Sequence, residues 1–146
     1  MIDDFKVFHD KVLDSMTPSS EVRRLFCQFI REHAHNLPLI IQAMGLLYVN
    51  RSSHSQPPSD DARFLFRNVV LPFLRESKNL VAAFYLMIVN RNIPNICIMA
   101  IVNEVKKEKN PWWLIGVAVN LRPSFADCLF RRRATNLKRA GTTGTT

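Results

Sequence analysis

Residues 130–141 read FRRRATNLKRAG, a stretch with five basic side chains (Arg131, Arg132, Arg133, Lys138 and Arg139) and no acidic one. Arginine at this density suits phosphate, because the planar guanidinium donates two parallel hydrogen bonds to its oxygens. Wound as a helix at about 100° per residue, Arg131, Arg132, Lys138 and Arg139 share one face roughly 120° wide. Phe130, Ala134 and Leu137 form an adjoining apolar strip, and Arg133 falls on the far side. Cations so placed repel one another unless something anionic lies across them. With Arg122 as a sixth group, counterion release from a single strand predicts a log–log salt slope of roughly −4. Nothing nearby is suited to reading base edges, so weak sequence preference is expected.

Other chemistries find little support. His33 and His35 lie about 200° apart on a helix and cannot share a metal from it. There is no C-x-x-C pair and no glycine-rich phosphate loop; the chain has only 4 glycines. Cys27 and Cys97 sit in apolar stretches and read as packing residues, and Cys128 has no partner base in view. The carboxylate pairs Asp3-Asp4 and Asp60-Asp61, and Glu104 with Glu108, fall at helix ends or on exposed faces. No cofactor or metal is implied, and the chain reads as a non-enzyme. Adjacent Trp112 and Trp113 point about 100° apart, which predicts one packed and the other partly exposed.

The charge is uneven. The net value is +8, of which residues 122–146 contribute +5 through six basic groups and Asp127. Such asymmetry favours a polyanionic partner, nucleic acid before an acidic membrane surface. Three widely spaced cysteines give no disulfide framework and fit an intracellular, reducing compartment. The acidic start, Ile2-Asp3-Asp4, is unlike a signal peptide. The longest apolar run, Leu80 to Val89, has ten residues and is too short to span a bilayer.

The elements that must position these groups are helices. Phe5, Phe8, Val12 and Met16 recur at helical spacing, as do Val22, Leu25, Phe26, Phe29 and Ile30 in a second helix. That second helix begins near Pro18, with Ser19 or Ser20 as its cap. A third opens at Leu37-Pro38. Residues 50–61, NRSSHSQPPSDD, read as a mobile loop. Further helices follow over Asp60 to Ser77, with a kink at Pro72; over Leu80 to Val89; from Asn92-Ile93-Pro94 onward; and from Pro111. Pro123 and Ser124 open the last, which Gly141 ends. No internal repeat is legible. The expectation is an all-α fold, a single compact domain of about seven or eight helices over residues 1–121. A basic C-terminal helix over 122–141 and a disordered tail at 142–146 complete it.

Ser124-Phe125-Ala126, then Arg131-Arg132-Arg133-Ala134, Leu137 and Arg139, resemble a motif of a viral family. Its members are the small 3′-encoded nucleic-acid-binding proteins of flexuous plant RNA viruses of the carlavirus, vitivirus and trichovirus type. Residues 127–130 stand as an insertion within that motif, and Ile93 to Ile101 is similar to the apolar helix that precedes it. The resemblance implies RNA binding, suppression of host RNA silencing, and a place in the host cytoplasm or nucleus. It covers at most residues 84–140. The family's zinc-binding C-x-x-C is absent, since Ala140-Gly141 stands in its place. The phosphate-binding candidates are therefore Arg131, Arg132, Arg133, Lys138, Arg139 and Arg122. The alternative is a helical module that captures a host protein, its basic tail a nuclear-import or membrane-surface signal.

Overall fold

The computed structural model describes residues 2–52, 60–108 and 110–129, all-helical and without a strand among them. The helices are α1 (Ile2–Leu13), α2 (Ser19–Glu32), α3 (Leu37–Asn50), α4 (Asp61–Leu65), α5 (Leu71–Glu76), α6 (Leu80–Val89), α7 (Asn95–Lys106) and α8 (Trp112–Leu121). Residues 123–129 are helical too. The expected all-α class and single compact domain are those observed. The predicted basic helix beyond residue 129, and residues 53–59 of the predicted loop, lie outside the described residues.

α1, α2 and α3 pack on one another, and α6, α7 and α8 do the same. The two triplets join where α3 meets α6, and α4 lies against α2 and α3. The join is close at Gly45, where a Cβ would stand 2.9 Å from Asn90 Nδ2 and 3.3 Å from Asn92 Cβ. One core runs through both triplets, with Phe26, Met44, Leu65, Phe84, Ile98 and Phe125 fully buried.

Several helix ends differ in detail from expectation. Pro18 itself occupies the N-cap of α2, and no side chain caps it, so neither Ser19 nor Ser20 acts as expected. Asn36 caps α3 by accepting from the Leu39 amide at 3.3 Å, and Asp60 caps α4 by accepting from the Arg63 amide at 3.1 Å. Ser124 Oγ accepts from Asn95 Nδ2 at 2.9 Å, tying the final helical stretch to α7.

At Pro72 the expected kink is a π turn, Phe66–Val70, between α4 and α5. A proline ring in a regular α-helix collides with the carbonyl four residues back, in this case that of Asn68. Widening the preceding turn relieves this, and the Leu71 amide reaches back five residues to the Phe66 carbonyl.

A repeat emerges that the sequence did not disclose. Arg51, directly after α3, donates from Nε to the Val12 carbonyl at 3.0 Å and from one terminal nitrogen to that of Thr17 at 3.0 Å. Its other terminal nitrogen donates to the Lys11 and Asp14 carbonyls. Arg122, directly after α8, donates from Nε to the Ile88 carbonyl at 2.9 Å, and from its terminal nitrogens to those of Ile93, Met87 and Asn90. Every acceptor in the second set stands 76 positions beyond its counterpart in the first (Lys11 and Met87, Val12 and Ile88, Asp14 and Asn90, Thr17 and Ile93). At the same offset Pro18 and Pro94 cap α2 and α7 with almost the same backbone, φ −69°, ψ 155° and φ −74°, ψ 159°. Phe8 and Phe84, Val12 and Ile88, Val22 and Ile98, Phe26 and Val102, Phe29 and Val105 are buried pair by pair. The molecule is therefore built from two equivalent three-helix units, each closed by one arginine, with α4 and α5 between them.

Candidate functional site

Of the six phosphate-binding candidates, Arg131, Arg132, Arg133, Lys138 and Arg139 lie outside the described residues. The sixth, Arg122, has a different task. A guanidinium carries five N–H donors. Those of Arg122 go to four backbone carbonyls and to Asn95 Oδ1, so none is left over for a phosphate. The carbonyls of Met87, Ile88 and Asn90 belong to the C-terminal end of α6, where the helix dipole favours a cation. Burial holds the Arg122 pKa below the usual guanidinium value, and it remains charged. Sequence placed Arg122 with the basic run by adjacency; its donors place it with the fold.

Five further described cations meet acidic partners. Arg23 Nε donates to Asp61 at 3.1 Å, with its guanidinium 3.8 Å over the Phe64 ring. Arg24 pairs with Glu21, whose pKa its hydrogen bond lowers. Arg63 lies 3.8 Å from Asp60. Arg75 and Lys107 both reach Glu104, at 3.0 and 3.2 Å, and the bond from Arg75 leads in lowering that carboxyl's pKa.

A cavity of about 560 Å³ opens between α7 and the α3–α4–α5 side of the molecule, lined by Tyr48, Arg63, Phe66, Asn92, Cys97 and Glu104 among others. Within it Cys97 donates from Sγ to the Tyr48 hydroxyl at 3.0 Å, and the Ser52 hydroxyl, also on its wall, has no hydrogen-bond partner among the described residues. Burial pushes the Cys97 thiol up to about 12 and raises the Tyr48 phenol as well. A thiol held neutral is neither a good nucleophile nor a metal ligand. Among the described residues no three of His, Cys, Asp and Glu converge on a metal position. The cavity joins an apolar wall to scattered polar groups without a nucleophile aligned on a base.

The thiol carries a pH consequence. A group with its folded pKa raised stabilises the fold below its unfolded value and loses that contribution as pH climbs through the folded one. Stability contributed by Cys97 is thus full below about pH 9, the ordinary thiol value, and is lost on the way to about 12. In native protein near neutral pH, Cys97 is expected to react with a maleimide at least about tenfold more slowly than half-buried Cys128. Mass spectrometry of the labelled peptides measures the two rates.

The two tryptophans depart from expectation. Both face outward, Trp112 at 70% and Trp113 at 47% exposure, and Trp113 lies 6.2 Å ring to ring from Tyr85 of α6. No known protein family, no curated protein and no solved structure matches this chain.

Proposed function

We propose that the chain is a non-enzymatic nucleic-acid-binding protein, with RNA the favoured partner, which holds phosphates through Arg131, Arg132, Arg133, Lys138 and Arg139. The observation that carries this is how charge is divided. Residues 1–130 hold 15 basic and 12 acidic groups for a net of +3, whereas residues 131–146 hold five basic groups and no acid, for +5. Within the body, Arg23, Arg24, Arg63 and Arg75 are matched to Asp61, Glu21, Asp60 and Glu104, and Arg51 and Arg122 to helix-end carbonyls. The net positive charge is densest in one short run, which is where a polyanion gains most by binding. The viral resemblance of that run adds suppression of host RNA silencing as its setting. With Arg122 committed to the fold, the phosphate-binding set has five members rather than six.

Filter binding to a single-stranded RNA over a salt series tests the proposal. Five groups, at about −0.7 each, predict a log–log slope near −3.5. Changing Arg131, Arg132 and Arg133 together to alanine is expected to bring the slope near −1.5 and to weaken binding at least about tenfold at low salt. Unchanged affinity with an unchanged slope would overturn the proposal.

A further inference from the structure

Helix α6, LVAAFYLMIV, and helix α8, WWLIGVAVNL, contain no charged residue. They touch each other, and the Tyr85–Trp113 contact runs from one to the other. Their outer surfaces are bare: Val89 is 69% exposed, and Tyr85 and Leu121 also face solvent beside the two tryptophans. A solvated surface helix ordinarily carries polar residues on its outer face.

The molecule supplies its own comparison. In the first unit, the positions equivalent to Ala82, Tyr85, Leu86 and Val89 hold Lys6, His9, Asp10 and Leu13. Lys6 and Asp10 are exposed there. The same scaffold thus carries exposed charge on its first helix in one copy, alongside exposed Val7 and Leu13, and none in the other. Scaffold geometry does not require the stripping of charge, and an exposed face without charge is the kind of surface that docks a partner.

The border of the face indicates what covers it. Lys78 precedes α6, two residues after exposed Glu76, and Arg91 follows it; Lys106 and Lys107 precede α8, against Glu108. All four cations are exposed, Lys107 with Glu104 beside it. A second copy docked face to face would oppose this basic rim to itself. A nucleic acid would find no cation within the face to follow its phosphates. An anionic bilayer fits both parts, since Trp and Tyr settle at the headgroup level while Lys and Arg meet lipid phosphates. Neither helix is long enough to cross a membrane, and none among the described residues is.

We propose that the α6–α8 face is a membrane-surface site, which lies on an anionic bilayer with Trp112, Trp113 and Tyr85 at the headgroup level and Lys78, Arg91, Lys106 and Lys107 around them. This stands apart from RNA binding by the C-terminal run, and either can fail without the other.

The test is flotation with phosphatidylcholine vesicles, with and without phosphatidylserine, read together with tryptophan emission. Trp112 and Trp113 are the chain's 2 tryptophans, so their emission reports this face alone. Full-length protein is expected to float with the phosphatidylserine vesicles and to lose fluorescence when the acyl chains are brominated. Val89→Glu combined with Trp112→Glu is expected to lower the floating fraction roughly tenfold or more. Leu13→Glu, the counterpart of Val89 in the first unit, should leave it unchanged. Quenching in the unmodified chain needs no variant to fold and so decides the matter by itself. The proposal is overturned if the protein does not float, if it floats without quenching, or if sedimentation velocity shows a dimer that Val89→Glu dissolves.

Discussion

Replacing Arg122 with methionine is expected to cost about 3 kcal/mol and to lower the thermal midpoint by roughly 10 °C. The magnitude follows from what is left behind. Five hydrogen bonds from one charged group are lost, and the end of α6 retains carbonyls that the packed turn shields in part from water. Methionine restores the stem's packing but none of the donors. Lysine should recover only a fraction, because an ammonium has three donors on a single point and cannot span four carbonyls and an amide. Arg51→Met should fail in the same manner at the end of α1, where four carbonyls lose their donor. Circular-dichroism melts of the three variants measure all of this. An Arg122→Met midpoint within a degree or two of the parent would contradict the clamp.

Arg23→Leu is expected to cost about 3 kcal/mol, and Arg23→Leu with Asp61→Leu appreciably less. Asp61 is 1% exposed; among the described residues the Arg23 bond to its Oδ1 is its one ion pair, and its Oδ2 has no hydrogen-bond partner. Removing the arginine alone strands a buried carboxylate, and also takes a cation off the face of Phe64. Removing both partners eliminates the stranded charge, so the double variant should be the more stable of the two. Urea titration of the two single variants and the double variant gives the coupling energy. Equal costs for Arg23→Leu and the double variant would mean that the pair does not act as one.

How far the sequence disclosed this molecule depends on which atoms carry each feature. Helices α1 and α2 announce themselves through apolar spacing, as in Val22, Phe26, Phe29 and Ile30. Pro18, Pro38, Pro94 and Pro111 mark starts because a proline needs no amide partner there. The π turn was not legible, since Pro72 states that a regular turn must give way without stating how. The duplication was not legible for a deeper reason. Arg51 and Arg122 bind backbone carbonyls, which every residue supplies, so the four acceptor positions share no side chain between the units. The buried pairs preserve apolar bulk, Phe26 against Val102 for example, without preserving identity. Arg122 was misassigned because adjacency in sequence was its only visible context. The exposure of both tryptophans was equally hidden, since helical angle fixes only their divergence. The five C-terminal cations were legible as charge from composition alone, while their arrangement lies outside the described residues.

The two arginine clamps also bear on the order in which the chain folds. Each guanidinium reaches back across 34 or more residues to the carbonyls of Lys11 to Thr17, or 29 or more to those of Met87 to Ile93. It closes only once the three helices of its unit have met, which makes it a late latch rather than a nucleus. On this hypothesis most of the stability lost in Arg122→Met appears as faster unfolding, with the refolding limb of the chevron almost unmoved. A refolding rate that falls in step with stability would instead place the latch in the transition state. Kinetic persistence of the fold is thereby assigned to two side chains, each at the last residue of its unit.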